Sequence, residues 1–333
     1  MAGEESSTQT SVPDRRTILA VMHLAARAPS LHNTQPWHWV LHGSRLHLYI
    51  DPDRQLPAAD PHGRQQVISC GAMLHYVRTA FAAHGWRTDT ERLPDPHRPD
   101  YLAAIEFRPW PDPPADIAPR ARAIDTRYTD RLPMLPPNGW NDIAANLRQL
   151  AGPYDVELDI LGDDARTRLA AVDEHTDAAR RDDMMYQDEL NWWAGHPDTP
   201  EGIPPSALIS DAEFTRVDVG RAFPSAPHSQ RRAGITDQAE TAVLSTYEDS
   251  RLHWLHTGEA LSAILLECTA AGLATCPITH LTELPAGRRT VATLLAHAAA
   301  PQAVIRIGTA PEHQQLPPTP RRPLVDIFET CDS

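Results

Sequence analysis

The stretch Ala28-Pro29-Ser30-Leu31-His32-Asn33-Thr34-Gln35-Pro36-Trp37 decides how the rest of the chain is read. Pro29 and Pro36 hold φ at roughly −65° and push the residues before them out of helix, so this connector is stiff at both ends. Between them Ser30, Asn33, Thr34 and Gln35 offer hydrogen-bond donors and acceptors, and Trp37 adds a large flat anchor. On these residues alone two readings stand: a helix stop, an Asx-type turn and a core tryptophan, or a rigid loop built to hold a ligand.

The loop joins a helix to a strand. Upstream, Asp14 can cap a helix running to about Arg27, with Ile18, Val21, Met22 and Ala25 spaced to bury one face. Downstream, Trp39–His42 and Arg45–Ile50 flank Gly43-Ser44 and read as a hairpin with Leu46, Leu48 and Ile50 on one face. Gly63 to Gly85 is too apolar for a surface helix and reads as central, with Gly85 just past its end. Trp86–Arg92 and Tyr101–Arg108 alternate as strands, and the proline- and aspartate-rich stretch Pro109–Pro119 closes a first half.

In the second half, Asn138–Leu150 reads as a helix, Tyr154–Leu161 as a strand, and Asp164 to about Trp193 as one long helix. From Gly195 to Arg232 periodicity is lost. With Pro197, Pro200, Pro204, Pro205, Pro224 and Pro227 this segment is long for a simple connector, and of disorder and a lid we take the lid. Arg251–Gly272 is a second strongly apolar helix, Val304–Ile307 a strand, and Leu316–Pro323 an extended proline-rich tail. The two apolar helices match: Gly71 and Gly85 are as far apart as Gly258 and Gly272, with Leu74 against Leu261, Val77 against Ile264 and Ala83 against Ala270. The match suggests a duplicated unit whose halves bury against each other as a pseudo-dimer, leaving a ligand site where they meet.

Composition sets limits. The 333 residues can bury a large core, and a net charge of −14 argues against nucleic acid or an anionic membrane as partner. Every basic residue is arginine. The absence of lysine excludes Schiff-base chemistry and the lysine-dependent phosphate loop, so any phosphate must be held by guanidinium forks and backbone amides. Four cysteines and 17 histidines show no metal spacing, and no metal is expected. Residues 1–13 read as a disordered leader without signal-peptide character, which implies a cytoplasmic protein.

The central loop resembles the Pro-Ser-x-x-Asn-x-Gln-Pro-Trp segment of flavin-dependent nitroreductases, and its His-Asn-Thr-Gln-Pro-Trp wording is similar to the Acg-type branch, which carries two nitroreductase-like halves on one chain. The resemblance implies an α+β nitroreductase-like fold: two related halves, residues 14–120 and 121–330, as an intramolecular pseudo-dimer of antiparallel or mixed sheets surrounded by helices, with a lid at 195–232. It implies non-covalent FMN on Pro29, Ser30, Leu31, Asn33 and Gln35. Arg127-Tyr128-Thr129-Asp130-Arg131 is similar to the Arg-x-Ser-x-Lys/Arg motif; Arg127 would then pair with the phosphate, Thr129 would donate to the flavin, and Arg131 would face the pyrimidine edge. Pro320-Arg321-Arg322-Pro323 resembles the C-terminal phosphate-binding segment, with either arginine as the contact. The backbone from Cys276 through Pro277 and Ile278 to Thr279 aligns with the turn that approaches flavin N5, Cys276 itself reading as a packing residue.

Each half lacks a motif that the other keeps, so one flavin per chain is expected. No side chain is required as a strong acid or base, since the flavin carries hydride from NADH or NADPH to a nitroaromatic or quinone-type acceptor and water can supply protons. The competing reading is a flavin-storing protein whose lid shuts nicotinamide out, with Trp192, Trp193, Phe214 and Phe223 as candidates to cover the ring. A gating lid predicts that deleting about His196–Gln230 leaves FMN bound and speeds its reduction. The chain is expected to be a monomer or a homodimer.

Overall fold

A computed structural model describes residues 12–196, 201–223, 229–311 and 318–331. The leader up to residue 11, Pro197, Pro200, Pro224, Pro227 and the Leu316 start of the tail lie outside the described residues. The first half runs α1 (Arg15–Ala25), β1 (Trp37–His42), β2 (Arg45–Ile50), α2 (Arg64–Ala83), β3 (Trp86–Arg92), β4 (Tyr101–Pro109) and α3 (Ile117–Thr126). Asp14 caps α1 by accepting from the Thr17 amide at 2.7 Å, and Ile18, Val21, Met22 and Ala25 are its buried face. His42 pairs with Arg45 across the Gly43-Ser44 turn.

The second half runs α4 (Trp140–Ala151), β5 (Val156–Ile160), α5 (Asp163–Arg181), α6 (Met184–Trp193), α7 (Asp211–Phe214), β6 (Glu240–Thr246), α8 (Arg251–Ala270), β7 (Ala274–Ile278), α9 (His280–Glu283), α10 (Pro285–Ala292), β8 (Ala300–Gly308), α11 (Leu324–Ile327) and β9 (Phe328–Cys331). The single helix expected from Asp164 to Trp193 is two. Asp183 leaves helical geometry and accepts from the Tyr186 amide, so it ends one helix and caps the next.

The sheets repeat one plan. The first has the order β3-β4-β2-β1-β9 and the second β7-β8-β6-β5, antiparallel throughout except where β9 joins β1 in parallel. In each half a long apolar helix follows the second strand and leads into the edge strand. Pro277 is tolerated within β7 because that strand is an edge. The C-terminal β9 crosses to complete the first sheet, tying the halves together.

The two central helices cross at their glycines. A Cβ on Gly71 would collide with the Leu255 carbonyl, and a Cβ on Gly258 with the Ile68 carbonyl while lying 2.8 Å from the Ala72 nitrogen. The contact is reciprocal: each glycine meets the residue three before the other. One offset of 187 residues takes Gly71 to Gly258 and Gly85 to Gly272, and the first of these matched pairs is the one that touches, as at a pseudo-twofold.

Candidate functional site

Between the halves lies a slot of about 110 Å³. The first half contributes Pro29, Ser30, Leu31 and His32 from the central loop and Gln65, Ile68, Ser69 and Ala72 from α2. Thr129, Arg131 and the run Cys276–His280 form the opposite side. The slot opens, past the shared Pro29, Ser30, His32, Thr129, Arg131 and Ile203, into a cleft of about 430 Å³ edged by Arg27, Arg127 and Arg321.

The loop is shaped for this. His32, Asn33 and Gln35 all have positive φ, a conformation unfavourable for residues with a side chain and seldom found three times in four positions. Hydrogen bonds hold it: Ser30 Oγ accepts from the Gln35 amide at 2.9 Å, and Thr34 Oγ1 donates to the Leu31 carbonyl at 2.9 Å. The Leu31 amide donates to Ser69 Oγ on α2 at 3.2 Å.

Some expected contacts move. Gln35 is fully buried, and its amide serves the fold, donating to the Asn33 carbonyl and accepting from the Arg322 amide. Arg322 lines neither cavity; it donates to the Gln35 carbonyl at 3.0 Å and pairs with Asp51 at 2.9 Å. Consecutive side chains of an extended segment point opposite ways, so only Arg321 faces the cleft. Asn33 lines the cleft but donates to the Pro320 carbonyl at 2.9 Å and to the carbonyls of Glu201 and Gly202, binding loop, tail and the 201–223 stretch together. The expected turn through Cys276–Thr279 is mostly strand: β7 ends at Ile278, pairing with β8. Burial raises the pKa of the Cys276 thiol, as suits a packing residue.

Polar atoms left over mark the site. Arg127 donates from Nε to Tyr76 Oη at 2.7 Å, while its buried Nη1 has no partner. The buried Nε of Arg321 is likewise unpartnered, and burial together with Arg127 and Arg27 lowers this guanidinium to about 9. Three cations thus converge, with one carboxylate nearby: Asp125, two-thirds exposed and 3.7 Å from Arg27. Arg131 stacks over Phe223 at 5.2 Å and, among the described residues, has no ion-pair partner. Gln65 Nε2, both ring nitrogens of His32 and Nδ1 of His280, all on residues that line the slot, are buried and unpaired. An anion with a flat heteroaromatic body would satisfy this set.

Arg221, His280 and Arg306 were missed in the sequence, where no motif marks them and only tertiary folding gathers them; His32 lies in the quoted loop motif but was given no role. Arg221 pairs with Glu283 and donates to Tyr186 Oη at 2.6 Å. Arg306 is held by Asp237 at 2.7 Å. The segment expected as a lid is tied to the body by Arg232, which pairs with Asp130 at 2.7 Å, and by Arg221, while within it Arg231 pairs with the fully buried Glu213 at 2.8 Å. Burial raises the Glu213 carboxyl, but hydrogen bonds from Arg231 and Ser210 outweigh it and hold it at about 2. Ile203, Ile209, Gly220, Arg221 and Phe223 from this segment line the slot, so it is a wall. Of the four bulky candidates only Phe223 is there; Trp193 packs by Leu56 and Tyr186, and Trp192 is about half exposed.

The pseudo-symmetric position is filled. The 187-residue offset sends slot-lining Ala72 to Glu259 and Thr279 to Arg92, and there Glu259, fully buried, takes Arg92 at 2.6 Å and Arg78 at 2.7 Å. Ion pairs occupy the space that small residues leave open on the other side. Glu259→Ala is expected to destabilise the fold by about 2 kcal/mol, below the full range for a broken buried pair because both arginines are partly exposed. Urea denaturation checks this, and unchanged ligand content in the folded variant would show that the two positions are independent.

No family model matches the chain. The Mycobacterium tuberculosis protein provisionally named NAD(P)H nitroreductase Acg is 45% identical over 313 residues, covering 93% of this chain and 95% of that protein. A second M. tuberculosis protein, provisionally named NAD(P)H nitroreductase Rv3131, is 36% identical over 335 residues, covering 97% and 94%. The solved FMN-dependent nitroreductase NfnB from Mycobacterium smegmatis, in complex with NADPH, is 16% identical with a TM-score of 0.41, covering 65% of this chain and all of that one. With 45% identity to Acg over nearly the full length added to the loop, the arginine motif and the repeated halves, the chain belongs to the Acg-type branch of the nitroreductase family.

Proposed function

We propose that the chain, folded as related halves 14–120 and 121–330, is an oxidoreductase that binds one FMN in the slot and cleft. It would accept hydride from NADH or NADPH and pass it to a small nitroaromatic or quinone-type acceptor. The observation that carries the reading is the convergence of Arg27, Arg127 and Arg321 at the open end of the slot, with one guanidinium nitrogen of Arg127 and one of Arg321 unpaired. The residues fit the cofactor. Arg127 and Arg321 would hold the phosphate, and Pro29, Ser30 and Leu31 would flank the ring. Thr129 and Arg131 would meet its polar edge, and the backbone at Pro277–Thr279 would reach its centre. When bound, FMN supplies reversible two-electron transfer. The chain's own part is to hold the anion, to orient the ring between rigid walls and to exclude water.

Purified protein should carry FMN at about one per chain, measured by absorbance after release. Arg127→Ala should raise the FMN dissociation constant about ten- to hundred-fold, the worth of a charge-assisted hydrogen bond. Wild-type protein devoid of flavin, or full affinity in the variant, counts against the reading.

The ion pairs Arg221–Glu283 and Arg232–Asp130, which tie the 201–232 wall to the body, favour a second reading, flavin sequestration with little turnover. Anaerobic mixing with NADPH separates the two: turnover bleaches the flavin within seconds, and sequestration leaves it yellow.

A further inference from the structure

We propose that His280, oriented by Asp173, donates the proton that accompanies hydride to the acceptor in the slot; this rests on the flavin reading above. His280 begins α9 directly after the Pro277–Thr279 backbone, so it stands beside the place where the ring centre would lie. Its ring is buried, and Nε2 meets Asp173 Oδ1. The other Asp173 oxygen accepts from the Gly220 amide at 3.1 Å, fixing the carboxylate from α5 on one side and the wall segment on the other.

This contact sets the tautomer. A carboxylate accepts, so Nε2 carries the hydrogen and Nδ1 is the nitrogen that gains and gives a proton. Nδ1 is buried, has no partner, and belongs to a residue lining the slot. An imidazolium formed there has its charge matched by Asp173, the arrangement of an oriented general acid. The other charged or titratable groups around it are Asp177 on α5, Arg221 with its partner Glu283, and His32 across the slot. His32 has no such orienting partner: both its ring nitrogens are unpaired, and burial, then Arg221 and Arg131, hold its pKa well below the ordinary histidine value.

The step balances. NAD(P)H supplies the electron pair as hydride. With a quinone, the hydride supplies two electrons and one hydrogen; the Nδ1–H bond breaks and an O–H bond forms on a quinone oxygen, giving hydroquinone. With a nitroarene, one N–O bond breaks, that oxygen leaves as water with both hydrogens, and a nitroso group remains. His280 is left neutral and water returns its proton.

Stopped-flow kinetics on flavin-loaded protein, with NADPH as donor and a soluble benzoquinone as acceptor, test this over a pH series. His280→Gln should slow reoxidation by the quinone about 10²- to 10⁴-fold and abolish the pH dependence of that step. Flavin bleaching by NADPH, which needs no proton donor, should slow far less. Equal slowing of both steps, or a surviving pH profile, overturns the proposal. A readout independent of turnover is the ¹⁵N spectrum of the histidines, assigned with His280→Asn: the neutral ring should be Nε2-protonated and should lose that preference in Asp173→Asn. An Nδ1-protonated ring overturns the assignment even if His280→Gln fails to fold. Wild-type protein that binds no FMN overturns the flavin reading itself, and the spectrum tells the two failures apart.

Discussion

Gly258→Ala is expected to destabilise the folded chain by at least about 3 kcal/mol, at the top of the range for overpacking. The added methyl has no room. It would enter the Ile68 carbonyl and lie 2.8 Å from both the Ala72 nitrogen and Gly71 Cα, all backbone atoms that no rotamer change can move. Relief requires α2 and α8 to separate, and both are buried along most of their length. Interiors are packed near crystal density, so separation also opens voids in the cores on either side. Gly162→Ala is the control: its Cβ faces open space, its φ is −74° and no proline follows it, so the change should cost at most about 1 kcal/mol, the loss of a glycine cap. Urea denaturation of both variants decides it, and a Gly258→Ala shift under about 1 kcal/mol would mean that the crossing is looser than drawn.

That crossing was half legible in the sequence. Two equal-length apolar helices bracketed by glycines suggested a repeat, and one matched pair, Gly71 and Gly258, turns out to touch. Locally encoded elements were equally readable: the Asp14 cap, the Gly43-Ser44 hairpin and the stiff proline-bounded loop all follow from short-range chemistry. Elements whose partners are remote were not. β9 pairs with β1 from the far end of the chain, β6 has no distinctive pattern because it is buried on both faces, and β7 was taken for a turn because it is short and contains Pro277. Of the expected site residues, Gln35 and Arg322 carry the right chemistry but serve the fold: Gln35 spends both ends of its amide on the loop, and Arg322 faces Asp51. Sequence shows which side chains could bind a ligand, but which of two neighbours points inward depends on backbone phase.

The 201–232 segment carries the largest expected consequence for binding. Its loss of periodicity suggested a gate over the flavin, so that removing it would leave binding intact. The lining of the slot points to the opposite outcome. Replacing about residues 196–230 with a short glycine-serine linker removes Ile203, Ile209, Gly220, Arg221 and Phe223, a whole wall of the slot. It also strips Arg221 from the nearly buried Glu283 carboxylate, takes the Gly220 amide from Asp173, and releases the Asn33 side chain from the 201–202 carbonyls. An uncompensated buried carboxylate is costly, and opening the slot to water weakens every electrostatic contact left within it. Although Arg127 and Arg321 lie outside the deletion, on the proposed reading they would grip only the phosphate end. The deletion variant is therefore expected to lose retained FMN on gel filtration and to unfold at lower urea than the full chain. Retention of stoichiometric FMN, with faster bleaching by NADPH, would restore the gate.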